Sequence, residues 1–135
     1  MSAKSFLLAT VAGGVTLFLV GGLLYGMLLA DFFDSHSAAN VMRETPIWGA
    51  LILGELVLAA LVTLIFGRWA TISTPMGGLK AGAIIGLLMA VAINLTMYAV
   101  SNIVGPTAGV VDVVVSAVRL GVAGAVIGLV LGKTQ

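Results

Sequence analysis

The chain has 135 residues, of which 61% are hydrophobic and 8% charged, whereas an ordinary soluble domain carries roughly a quarter charged residues. This composition predicts an integral membrane protein with a single domain over 1–135 and excludes a separate soluble core. A net charge of +1 with scattered basic residues excludes nucleic-acid binding as a function class, because such binding needs a clustered basic face. The absence of cysteine excludes disulfides and thiolate chemistry.

Four segments are long and apolar enough to cross a bilayer, which requires about 20 mostly apolar residues. They cover about 6–30, 47–67, 81–104 and 108–132. Thr45 followed by Pro46 is typical of a helix start, and Pro106 opens the fourth segment in the same way. The first segment is too long for a cleavable signal, whose apolar region spans roughly 7–15 residues. The sequence therefore predicts an all-α bundle of four transmembrane helices, arranged as two antiparallel hairpins.

The basic residues of the short connections predict the orientation, because they are enriched on the cytoplasmic side. One side of the membrane would carry Lys4, Arg68, Lys80 and Lys133. The other side would carry Arg43, together with Asp31, Asp34 and Glu44. We therefore expect both termini in the cytoplasm, with Tyr25 and Trp48 near the outer interface.

The segment between the first two spans, DFFDSHSAANVMRETP, holds the single histidine of the chain. Asp31, Asp34 and His36 could ligate a metal, but two carboxylates and one imidazole hardly specify a ligand geometry. We expect a solvated acidic loop, with no metal and no cofactor. Phosphate-binding loops, paired histidines and nucleophile elbows are absent from the sequence, so it predicts no enzymatic activity.

A carboxylate within the second span is the strongest functional signal, because a lone charge at the bilayer centre costs about 2.5–3.5 kcal/mol on insertion scales. Glu55 stands in LILGELVL. At about 1.5 Å per residue, Glu55 lies roughly 12 Å from the outer end of its helix, Asn94 roughly 15 Å and Arg119 roughly 16 Å. We therefore predict that Glu55 pairs with Arg119 and that Asn94 completes their hydrogen bonds.

Helical periodicity adds two residues to this cluster, since residues three, four and seven apart share a face. Asp112 and Ser116 lie on the face of Arg119, and Asp112 could also reach toward the guanidinium. The predicted buried polar cluster, or ligand or ion site, comprises Glu55, Asn94, Asp112, Ser116 and Arg119. Such a cluster is either interhelical glue or a functional site, and the sequence leaves both alternatives open.

Small residues at four-residue spacing predict close helix packing, because they let backbones approach in lipid. The expected packing glycines are Gly22, Gly26, Gly82, Gly86, Gly121, Gly124 and Gly128. On the last helix, a stripe through Ala117 and Gly121 lies nearly opposite Arg119. We expect this stripe to face another subunit, although packing on a helix of the same chain would explain it equally well.

Three stretches resemble a family of small bacterial four-helix membrane proteins with no assigned activity. They are AGGVTLFLVGGLLYGMLLADFF, FGRWATISTPMGGLKAGAIIGLLMA and AGAVIGLVLGK. The resemblance implies a multi-pass protein of the bacterial inner membrane and supplies no catalytic residue.

Two functions fit these observations. The first is a structural or accessory membrane protein that forms a homo-oligomer or docks into a larger complex, with the lipid bilayer as its other partner. The second is a small transporter or channel-like protein with a polar intramembrane site at Glu55, Asn94, Asp112 and Arg119. Its small size favours the first.

Overall fold

The computed structural model describes residues 1–36, 45–103 and 105–134. These residues form α1 (Ala3–Gly21), which continues as a π-helix over Gly22–Leu28, and a short α2 (Ala30–Ser35). Next come α3 (Trp48–Leu64), which continues as a π-helix over Ile65–Trp69, then α4 (Pro75–Val100) and α5 (Pro106–Thr134). Within the described ranges, four helices are long and apolar enough to span a membrane. The described residues therefore contain helices and no strand, and the chain is of multi-pass type, as expected.

Local chemistry sets the helix starts, and two starts were predicted wrongly. The α3 helix begins at Trp48 after Ile47, with no side-chain cap, so Thr45 and Pro46 do not open it. A threonine–proline pair opens α4 instead: the Thr74 hydroxyl accepts a hydrogen bond from the Gly77 amide, and Pro75 occupies the first turn. For this reason α4 begins six residues before the predicted start, and Lys80 is helical.

The long helices are arranged as an open row rather than around a common centre. The α1 helix packs against both α3 and α5, whereas α4 packs almost entirely against α5. The spatial order is therefore α3, α1, α5, α4, and α3 contacts α5 only locally. As a result, α3 and α4 lie at the two edges, each with one main neighbour.

The contact between α4 and α5 is made by glycine backbones. A Cβ atom at Gly78 would overlap the Gly124 carbonyl, and one at Gly82 would overlap the Leu120 carbonyl. A Cβ at Gly86 would meet the Ser116 carbonyl. Later residues of α4 therefore contact earlier residues of α5. Gly124 and Gly128 also approach α4, at the carbonyls of Gly78 and Thr74. Such approach gains dispersion contact in a medium where apolar burial gives no driving force.

The small stripe of α5 is covered within the chain. A Cβ at Gly121 would lie 3.4 Å from Ala83 Cβ, and one at Gly132 would overlap the Ser73 carbonyl. The stripe therefore packs against α4 and the residues just before it. This is packing within the same chain, which was the alternative that the sequence left open. The expectation that these glycines face another subunit is therefore wrong.

Two other predicted packing glycines make no helix contact within the described chain. A Cβ at Gly22 or Gly26 would meet nothing within 4 Å, and both glycines are exposed. Instead α1 uses Gly13, against Ile127 of α5, and Gly14, against Leu56 of α3. The positions of the glycines around α1 explain this difference, because Gly13 and Gly14 face the two neighbours of α1.

The hydrophobic core lies between α1, α3 and α5. Its fully buried side chains include Leu17, Val62, Phe66, Ile127 and Leu131. At one end of this core the Ser5 hydroxyl donates to the Thr134 carbonyl over 2.7 Å. The two ends of the described chain therefore lie side by side.

Candidate functional site: two polar clusters

A buried ion pair joins α3 to α5. Arg119 Nη1 lies 3.0 Å from Glu55 Oε1, and Arg119 Nη2 lies 3.2 Å from Glu55 Oε2. The side chains are 17% and 10% exposed. This bidentate geometry gives each carboxylate oxygen a hydrogen bond and orients the planar guanidinium. The expected buried salt bridge is therefore present.

A glycine of α1 makes room for the guanidinium. A Cβ at Gly21 would lie 3.0 Å from Arg119 Nη1 and 3.4 Å from Arg119 Cδ. Since α1 packs between α3 and α5, the arginine has to pass the α1 backbone to reach Glu55. A side chain at position 21 would crowd that path.

The sequence predicted that Asn94 completes the hydrogen bonds of the ion pair, and this prediction is wrong. Asn94 Nδ2 donates to Asp112 Oδ2 over 2.7 Å and to the Ala90 carbonyl over 2.8 Å. The reason is the helix order: α4 packs almost entirely against α5, and α1 lies between α5 and α3. A shared depth in the bilayer therefore did not make Asn94 a neighbour of Glu55.

Tyr25 joins Asp112 from the π-helical end of α1. Its hydroxyl donates to Asp112 Oδ1 over 2.5 Å, and Ser116 Oγ lies 3.4 Å from the same hydroxyl. Tyr25 was predicted to lie at the membrane interface, and its bond to Asp112 was not predicted. Tyr25 follows Gly21 by four residues on the face of α1 that meets α5, but the sequence does not show which face of α1 meets α5.

The predicted polar residues thus divide into two clusters on one stripe of α5. The ion pair consists of Glu55 and Arg119. The Asp112 cluster consists of Asp112, Asn94, Tyr25 and Ser116. In the ion pair one charge neutralises the other, whereas the donors to Asp112 in the described residues are neutral. The Asp112 cluster therefore contains one carboxyl group and no basic side chain.

Two cavities flank Asn94, toward the C-terminal end of α4. One, of about 420 Å³, is lined by Tyr25, Asn94 and Asp112 together with residues of α2. The other, of about 360 Å³, is mostly apolar and lies between Val91, Tyr98 and Gly109. The contacts of Gly78, Gly82 and Gly86 hold the N-terminal part of α4 against α5, and the bond from Asn94 to Asp112 joins the two helices near the cavities.

The acidic segment after the first span is partly helical. Asp31 and Asp34 belong to α2 and are exposed. His36 follows α2, and its ring stacks on Phe32 at a centroid distance of 4.1 Å. Among the described residues, no three Asp, Glu, His or Cys side chains are grouped to hold a metal ion. Arg43 and Glu44, predicted for the same side, lie outside the described residues.

No family model, curated protein or solved structure matches the chain. The helices and the two clusters are therefore the features that indicate a function.

Proposed function

We propose that the protein is a non-enzymatic accessory membrane protein that self-associates or docks into a larger membrane complex. In this role the ion pair of Glu55 and Arg119 fixes the register of α3 against α5. One observation carries the proposal: both side chains of the pair are less than one-fifth exposed and satisfy each other. A mutually neutralised pair suits a structural lock better than a site that must accept a charged ligand.

The open row of helices supports association. In a closed bundle each helix has two neighbours, but here α3 and α4 each have one main neighbour. The buried residues of α4 are Gly78, Gly82, Gly86 and Ala90, all on the face toward α5. Large side chains cover the rest of α4, including Leu88 and Leu95, which are 62% and 63% exposed. A further subunit on one of these edges would give α3 or α4 its second neighbour.

The proposed topology is two antiparallel hairpins with both termini in the cytoplasm of a bacterium and the chain in its inner membrane. The bond between Ser5 and Thr134 supports termini on one side. The basic residues Lys4, Arg68 and Lys133 support the cytoplasmic side. The resemblance to small bacterial membrane proteins supports the inner membrane.

Native mass spectrometry after mild solubilisation tests the accessory role. We expect oligomers or a co-purifying subunit from the native chain, and less of either, with lower detergent stability, from Glu55→Gln. The matched control is Asp31→Asn, which removes one exposed carboxylate and should change neither. A strictly monomeric chain, or a Glu55→Gln variant with unchanged stability and assembly, would reject the proposal.

A second candidate, a transporter or channel-like protein, is favoured by the 420 Å³ cavity. The four residues expected to form its site do not act together, because Glu55 and Arg119 are occupied by each other. Asn94 and Asp112 line the cavity. A transport role would therefore use the Asp112 cluster and leave the ion pair as structure.

A further inference from the structure

The cavity beside Asp112 combines an internal carboxylate with apolar walls. Asp112 lies about 9 Å along α5 from Pro106, at 1.5 Å per residue. The cavity extends from Asp112 and Asn94 to the exposed Asp34 and His36. Exposed side chains and the Asp112 carboxyl group therefore line the same cavity.

The hydrogen bonds of Asp112 fit its ionised form. Both carboxylate oxygens accept a bond, one from Tyr25 and one from Asn94, and an ionised carboxylate is an acceptor only. These donors orient the carboxylate without cancelling its charge. Arg119 shares the helical face of Asp112, but its guanidinium is engaged by Glu55. The cavity therefore attracts positive charge.

The residues that line the cavity indicate which kind of cation it binds. Phe33, Ile93, Met97, Ile103 and Ala108 supply most of the remaining lining. An inorganic cation would need several oxygen ligands, and the described residues contain no group of three or more acidic or histidine side chains. An organic cation needs one counter-charge, apolar contact and aromatic rings. The cavity provides these, since the rings of Tyr25 and Phe33 lie 5.4 Å apart beside Asp112.

We infer that this cavity binds a protonated amine carried on an apolar body, with the ammonium at Asp112 and the body against the ring of Phe33. Its volume of about 420 Å³ falls within the roughly 300–1,000 Å³ of small-molecule sites. The site goes beyond the proposed accessory function and does not depend on it. It also gives the second candidate function a ligand class.

Calorimetric titration of the full chain in phosphatidylcholine nanodiscs tests the inference. The ligand is 2-phenylethylammonium, and its neutral match is 2-phenylethanol, which has the same body without the charge. We expect saturable binding of the ammonium and at least about 30-fold weaker binding to Asp112→Asn, because losing one partner of a hydrogen-bonded charge pair is costly. The neutral alcohol should not distinguish the two proteins. Equal binding of the ammonium to both proteins would overturn the inference.

A variant that fills the cavity tests the location of the site without changing a hydrogen-bonding group of Asp112. Ala108 lines the cavity one turn before Asp112, so Ala108→Leu should fill the space and abolish ammonium binding while the protein stays folded. Its control is Ala92→Leu, on an exposed position of α4, which should bind as the native chain does. Undiminished binding to Ala108→Leu would contradict the proposed location.

The amine could come from a free ligand or from a lipid headgroup. Repeating the titration with phosphatidylethanolamine in the nanodisc separates these sources. Competition by the lipid identifies its ammonium headgroup as the occupant, and unchanged affinity identifies a free amine. Oligomeric state is measured separately on the same samples, so failure of the amine site and failure of the accessory role are distinguishable.

Discussion

Removing one member of the Glu55–Arg119 pair should destabilise the protein far more than removing both. Glu55→Met leaves a guanidinium and Arg119→Met leaves a carboxylate, each in a position that is less than one-fifth exposed. Breaking a buried pair costs about 3–5 kcal/mol because it strands a charge. The double variant strands none and loses interhelical hydrogen bonds that average about 0.6 kcal/mol in membranes. We therefore expect the double variant to be more stable than either single variant.

The assay is reversible unfolding in bicelles for all four members of the cycle. The expected coupling between the two positions is at least about 3 kcal/mol. Val57→Met and Val118→Met form the control cycle, because both positions are exposed on α3 and α5 and should add within about 0.5 kcal/mol. Additive losses at Glu55 and Arg119 would refute the reasoning, since they would show that neither charge depends on the other.

Four further substitutions test the packing and the hydrogen bonds, each by the free energy of unfolding in bicelles. Gly82→Ala should cost about 1–3 kcal/mol because its methyl group would overlap α5 backbone, whereas Gly26→Ala, which meets open space, should be neutral or slightly stabilising. Thr63→Val should be neutral or stabilising by about 1 kcal/mol, because the buried Thr63 hydroxyl has no partner among the described residues. Tyr25→Phe should cost about 1–3 kcal/mol, because Asp112 loses one of its two donors.

Each of these expectations can fail in a specific way. Equal effects at Gly82 and Gly26 would contradict the assignment of α4 and α5 as the close-packed pair. A clear loss in Thr63→Val would mean that the hydroxyl has a partner. An unchanged Tyr25→Phe variant would remove Tyr25 from the Asp112 cluster.

The sequence predicted those features that follow from one helix at a time. Four apolar runs predicted four long helices, and the cost of burying a lone charge predicted the pairing of Glu55 with Arg119. Both arguments need only composition, depth and periodicity. Neither needs the order in which the helices pack.

Features that depend on helix order could not be predicted. Asn94 was assigned to the ion pair because its depth matched, but α4 lies on the far side of α5. The small stripe through Gly121 was assigned to another subunit, although it faces α4. The contribution of Tyr25 depends in part on a π-helical segment, which no residue pattern marked.

The interhelical ion pair is tested most directly by a distance measured in a bilayer. Arg43→Lys, Arg68→Lys and Glu44→Gln together leave one arginine and one glutamate, so residue-type labelling becomes site-specific. Rotational-echo double-resonance NMR between ¹⁵N in the Arg119 guanidinium and ¹³C in the Glu55 carboxyl should report a separation of roughly 4 Å, one C–O bond beyond the hydrogen bond. A spectrum without dephasing would show that the two side chains do not meet in the membrane.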